Sequence, residues 1–353
     1  MPDESADATA PDTIDDTNHE LMHPVGDAPA WSESYYFNFV DPDSKIAMFT
    51  RMGWRPGDGW ADALHVIYLE GRRVLFTYGR RDIGTDLTAY DGDLRVGGLA
   101  LDCNEAHRSW TVTYGGDAQD IADGAILLER RKQRPDGWYQ PATLDMSVTF
   151  TCTSDAHFTW SDDPDTGAKG HFEQSGHVEG RITVGDETWE VAGHGVRDKS
   201  WGPRDWGASK RSDDAGTPAD RTFSTPEAPS PFVVWFSANF GPDIAMGGVC
   251  WPDPDGIVRG GGWIHRDGAK EKLHDVEVVT RFADGSLIHD GVTLAARTGS
   301  GDRVEIEGVV WTVCPTKIPM RNGATFVNEG VAEFTWGDRV GYGIAEVWHA
   351  ARL

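Results

Sequence analysis

From Leu144 to Cys152, apolar side chains occupy every second position: Leu144, Met146, Val148, Phe150 and Cys152. A stretch with that period buries one face only as a β-strand. The same pattern recurs at Val178, Gly180, Ile182 and Val184, where Gly185-Asp186 supplies a turn and Trp189 and Val191 resume the alternation as a hairpin. In the last quarter of the chain, Leu294–Arg297, the turn Thr298–Asp302, then Val304, Ile306 and Val310 form another hairpin. Ala332, Phe334 and Trp336 run up to a Gly337-Asp338 turn, after which Val340, Tyr342, Ile344, Glu346 and Trp348 share one face. Only short pieces such as Asp117–Arg131 fit a helix, so the chain is predicted to be all-β with little helix.

The 353 residues allow two domains, and the composition places the boundary. Residues 208–230 turn to Ser, Asp, Thr, Pro and Ala, with Pro218, Pro226, Pro229 and Pro231 inside or just past them, which reads as a loop or linker. It separates an N-terminal domain, 29–207, from a C-terminal domain, 231–353. The acidic stretch 1–28 lacks the basic start and apolar run of a signal peptide and is predicted to be disordered. A net charge of -25 argues against nucleic-acid or anionic-membrane partners. The most apolar later stretch, Val233–Cys250, is broken by Asn239, Pro242 and Asp243, so no integral membrane segment is expected. Cys103, Cys152, Cys250 and Cys314 are widely spaced and read as buried thiols in a reducing cytoplasm. The sequence leaves the oligomeric state, a homodimer included, open.

The densest chemistry lies in Gly193–Trp206, GHGVRDKSWGPRDW, which holds a histidine, two Arg-Asp pairs and two tryptophans. Charged residues are seldom buried unpaired and Trp is seldom fully exposed, so this segment, placed just past a strand end, reads as the lining of a cleft. Asp198 is the first candidate for a proton donor, because burial among aromatic groups raises a carboxyl pKa toward neutrality. Trp201 and Trp206 offer ring faces to a developing cation. Glu346, Tyr36 or His194 are candidates to hold water or take the second proton. The competing reading pairs Asp198 with Arg197, and Asp205 with Arg204, as structural ion pairs that keep the acids ionised. Arg197 or Arg204 would otherwise bind a substrate carboxylate or enolate.

Other chemistries lack their signatures. His171, His177, His194, His265 and His349 show neither i, i+4 helical spacing nor a Cys partner, so no metal is predicted. Asp41-Pro-Asp43, Asp163-Pro-Asp165 and Asp253–Gly256 read as turns, not calcium loops. No dinucleotide fingerprint, phosphate loop or Gly-x-Ser-x-Gly elbow is present.

The run Val191-x-Gly-His-Gly-Val-Arg-Asp-Lys-Ser-Trp-Gly202, following His171-Phe-Glu-Gln174, resembles the family that groups AttH-like proteins with carotenoid 1,2-hydratases. Weaker matches are Glu33-Ser-Tyr-Tyr-Phe-Asn38, Leu94–Leu101 and Gly341–Glu346, so the resemblance covers most of residues 30–353. It implies two lipocalin-like β-barrel or half-barrel domains packed together, with a hydrophobic ligand site near their junction and no cofactor. Glu173, Gln174 and Asn38, which lie within these motifs, are expected substrate-binding residues beside Arg197, Trp201, Arg204 and Trp206. Lys199-Ser200, between the motif's Asp and Trp, departs from the hydratases. The leading expectation is therefore an acid-base enzyme acting on an isoprenoid or polyketide-like molecule by hydration, dehydration, isomerisation or cyclisation. A carrier of an apolar ligand is the alternative. A carbohydrate-active β-sandwich using Glu173 and Asp198 is the third reading.

Overall fold

The computed structural model describes residues 17–26, 30–163, 167–203, 223–252, 257–320 and 323–352. The first sheet is built from β1 (Trp31–Asp41), β2 (Ile46–Arg55), β3 (Trp60–Tyr68), β4 (Val74–Asp82), β5 (Leu94–Val96), β6 (Leu99–Glu105), β7 (Ser109–Ile121), β8 (Gln140–Cys152), β9 (His157–Asp163), β10 (Gly167–Val184) and β11 (Glu187–Pro203). Its order is β4-β3-β2-β1-β11-β10-β8-β7-β6-β5, and β9 pairs with β10. A short β4–β7 pairing, Val74–Phe76 against Gln119–Ile121, joins distant strands of that order and curls the sheet into a ring.

The second sheet is a closed antiparallel barrel of β12 (Pro231–Asn239), β13 (Ile244–Pro252), β14 (Val258–Arg266), β15 (Ala269–Phe282), β16 (His289–Thr298), β17 (Arg303–Met320), β18 (Gly323–Trp336) and β19 (Arg339–Ala351). The fold is all-β and lipocalin-like, with only short 3-10 turns such as Gly124–Leu128 for helix. Among the described residues no helix is long and apolar enough to cross a membrane.

Each sheet has its own core, and a third apolar cluster joins them. Strand β1 is buried almost throughout because it serves two of these layers. Tyr35, Phe37 and Phe39 point into the first barrel, whereas Tyr36 and Val40 point toward the second. The joining layer contains Phe49, Val66, Tyr68 and Val196 from the first sheet and Trp235, Trp263, Val331 and Ile344 from the second. The Tyr68 hydroxyl crosses it to donate to the Glu329 carbonyl at 2.8 Å.

Three expectations need correction. The motif does not follow a strand end: β11 runs through it to Pro203, since Gly193 and Gly195 let β1 approach closely. A Cβ on Gly195 would stand 1.8 Å from the Asn38 carbonyl oxygen. Residues 17–26 are ordered, because Thr17–Glu20 forms a 3-10 turn and Glu20 and Met22 are buried against the first barrel; the remainder of 1–28 lies outside the described residues. Cys103 is exposed, unlike Cys250 and Cys314. Of the 208–230 segment, residues 223–230 are described as an irregular stretch in which Ser224 is buried and Phe223 bridges to Ala350, and 208–222 lie outside the described residues. Arg204, Asp205 and Trp206 lie outside the described residues.

Candidate active site

Because β11 is a strand, its motif side chains alternate between two environments. Arg197, Lys199 and Trp201 face the interior of the first barrel; Asp198 faces the second barrel. This separates Asp198 from Arg197. The guanidinium of Arg197 is taken by Glu20, at 2.9 Å through Nη1, and by the Gln174 carbonyl, at 2.9 Å through Nε. Asp198 is instead hydrogen-bonded to Nε2 of His171.

Cross-strand register assembles the site. Tyr36 of β1 stands opposite Asp198 of β11, which stands opposite Glu173 of β10. On the second barrel Trp235 of β12 stands opposite Glu346 of β19, which stands opposite Glu329 of β18. The two rows meet at the junction. Tyr36 donates its hydroxyl to Glu329 Oε2 at 3.0 Å. Trp235 donates Nε1 to Glu173 Oε1 at 2.6 Å, and Trp263 of β14 donates its indole N–H to the other oxygen. Trp348 donates to Glu346, and His157 stacks on Trp263 with ring centroids 4.2 Å apart.

Four carboxyl groups, Glu173, Asp198, Glu329 and Glu346, thus gather beside one imidazole. Burial pushes Glu173 above the usual carboxylate range, partly offset by His171 and the two indole donors. Burial raises Glu329 well above that range, and the neighbouring Glu346 adds to the effect. Glu346 is raised by burial too, with Asp198 and Glu173 contributing, while hydrogen bonds from Glu329 and Trp348 lower it. Glu329 and Glu346 stand opposite each other on β18 and β19, and two carboxylates so placed in a buried setting disfavour each other's ionisation, which favours keeping a proton in the pair. His171 and Asp198, with side chains 22% and 20% exposed, form the accessible edge of this otherwise buried group.

Donor atoms of His171, Glu173 and Asp198 all lie within 4.8 Å of one another, close enough to surround a cation. They already satisfy one another and the two indoles: both Glu173 oxygens accept N–H groups and Asp198 engages the imidazole.

Of the candidates named from sequence, Asp198, Glu173, Glu346 and Tyr36 come together. Asn38 supports them, its Oδ1 accepting the Val196 N–H at 3.0 Å while its Nδ2 lies 3.5 Å from the Tyr36 hydroxyl. Arg197, Gln174 and Trp201 fall on the other face of their strands, inside the first barrel. His194 lies further along β11 beside His177, with ring centroids 5.2 Å apart. His171, Glu329, Trp235 and Trp263 were missed. A period-two reading of His171 and Glu173, and an acid set between the apolar pairs Phe326-Val327 and Val331-Ala332, were the available signals. A surface depression of about 470 Å³ lined by Arg73, Asp117 and Asp120 includes none of these residues.

No curated protein matches the chain. Among solved structures, a putative AttH from Nitrosomonas europaea matches with TM-score 0.57 and 13% identity, covering 90% of this chain and 92% of that one. CghA with Sch210972 matches with TM-score 0.51 and 11% identity over 92% and 89% of the two chains. Kievitone hydratase from Nectria haematococca gives TM-score 0.49 and 10% identity over 94% of each. At such identities the likeness is one of fold, which agrees with the AttH resemblance at that level. The sequence profile described as "Domain of unknown function (DUF7064)" covers residues 16–351, and the chain belongs to that family.

Proposed function

We propose that the protein is a cofactor-independent acid-base enzyme acting on an apolar, isoprenoid- or polyketide-like molecule at the junction of the two barrels. The observation that carries this reading is the Glu329–Glu346 pair, a buried proton store next to the His171–Asp198 couple. A neutral carboxylic acid near pH 7 is what protonation of an alkene or enol carbon needs. Glu346, the pair member that feels Asp198 and Glu173, delivers the proton it shares with Glu329 in this reading, and Tyr36 donates to Glu329 behind it. In a hydration, the proton of Glu346 goes to one alkene carbon. Water attacks the other, and its surplus proton passes to His171, which Asp198 orients. Dehydration reverses these steps, and isomerisation or cyclisation uses the same donor and acceptor without water.

The aromatic walls at Trp235 and Trp263 suit an apolar skeleton. The fold is shared with CghA, whose structure was solved with Sch210972.

The test is to incubate the protein with a panel of isoprenoid and polyketide alkenes in deuterated water and examine the products by mass spectrometry. A carbon-bound deuterium made by the native chain and lost in Glu346→Gln is expected. Product made without deuterium, or equally by the variant, would remove Glu346 as the donor.

A further inference from the structure

The other face of the motif carries a second arrangement, separate from the junction. Inside the first barrel Arg197 is 1% exposed, and its carboxylate partner, Glu20, comes from outside the sheet. Glu20 belongs to the strap 17–26, which lies against the barrel without pairing to any strand. Side chains fasten it. Glu20 engages Arg197, Tyr35 donates its hydroxyl to the Glu20 carbonyl at 3.0 Å, and the Met22 N–H binds Asp91 at 2.8 Å. The His23 N–H reaches Glu33 at 3.0 Å. Met22 packs into the core, and the rings of His19 and His23 stack on Trp201 at 4.7 and 4.2 Å.

Chemically the strap presents the barrel with a carboxylate, an apolar side chain and flat rings, which Arg197, the first core and Trp201 receive. The Arg197 guanidinium is framed by Phe172 at 4.9 Å and Trp110 at 5.7 Å. Without Glu20 it would keep the neutral Gln174 as its hydrogen-bond acceptor, a poor match for a buried cation. The indole N–H groups of Trp31, Trp54 and Trp110 are buried and unpartnered in the same barrel, so its lining holds spare donors for acceptor oxygens. Glu33 and Lys199 pair within the wall itself, which leaves Arg197 as the cation that depends on the strap.

We infer that the part of the first barrel covered by residues 17–26, around Arg197 and Trp201, is a binding site for an apolar monocarboxylate, and that those residues occupy it as a built-in competitor. The ligand's carboxylate replaces Glu20 on Arg197, its chain replaces Met22, and Trp201 is uncovered as the strap leaves.

The test uses the full chain, the fluorescent fatty acid cis-parinaric acid and its methyl ester. Saturable binding of the acid is expected, with faster hydrogen exchange at the amides of residues 19–23, and the ester should produce neither. Glu20→Ala removes the competitor and should tighten acid binding about tenfold or more, as for any site whose competent state is a minor population. The inference is overturned if neither chain binds the acid saturably, if ester and acid bind alike, or if binding leaves the strap's exchange unchanged. Should Glu20→Ala fail to fold, the native chain's acid-against-ester comparison and its exchange pattern decide the matter alone. Junction chemistry is read separately by deuterium incorporation, so either reading can fail without the other.

Discussion

Replacing Glu329 by Gln separates a stored proton from a buried charge. Gln is nearly isosteric with a protonated glutamic acid. Its carbonyl can accept from Tyr36 and its amide can donate to Glu346, so no partner in the network is orphaned. The cost of the wild-type arrangement depends on pH. Below 4.5, the ordinary value for the group, both folded and unfolded chains hold the proton. Above it the unfolded chain ionises while the buried pair does not. The stability associated with the neutral carboxyl is therefore complete below pH 4.5 and is lost as pH rises toward the elevated folded value. Between the two values the loss approaches about 1.4 kcal/mol per pH unit through this group, and Glu329→Gln loses none of it. Urea unfolding of both proteins across that range should show the variant gaining on the wild type as pH rises. Because the proton belongs to the pair, Glu346→Gln is the companion measurement. A stability difference independent of pH in both variants would mean that no proton is stored there.

Three further outcomes follow from single positions. His65 is buried inside the first barrel, stacked on Tyr114 with neither ring nitrogen bonded, and burial lowers its pKa from 6.5 to about 3. The stability tied to its neutral form is complete above pH 6.5 and is lost as pH falls, so His65→Phe should flatten the acid side of the stability profile by about 1.4 kcal/mol per pH unit, measured by urea unfolding from pH 6.5 downward. Gly195→Ala drives a methyl group onto the Asn38 carbonyl and should cost about 3 kcal/mol, read from the shift in urea midpoint. Asp198→Asn keeps a hydrogen-bonding partner for His171 but offers it the wrong polarity. Deuterium incorporation should fall by about a hundredfold or more with the thermal midpoint nearly unchanged, and full activity would remove Asp198 from the proton path.

How much was legible in the sequence depended on which face of a strand was apolar. The Val178–Val191 hairpin and the strand from Leu144 could be read because one side of each is polar and solvent-facing, giving clean alternation. The Gly193–Trp206 motif was misread as a segment beyond a strand because both faces of its strand are buried and both carry charge. Arg197 and Lys199 line the barrel interior as ion pairs, while Asp198 serves the junction. Alternation of polarity is then lost even though alternation of direction persists. The partners that explain those charges, Glu20 and Glu33, come from a segment without periodicity and from the first strand, more than 160 residues away in sequence. Asp198 stood out for its company in the chain. Glu329 did not, because its meaning depends on Glu346 one strand over and Tyr36 in the other sheet.

The most direct measurement is a pH titration by NMR of the chain labelled with carbon-13 at its glutamate carboxyls, run on the native protein and on Glu329→Gln. If the junction pair stores a proton, one glutamate carboxyl resonance remains at its protonated position at about pH 7, well above the ordinary range, and is absent from the variant. If instead every glutamate carboxyl of the native protein is ionised by about pH 6, no acid is available at the junction and the proposed chemistry is contradicted.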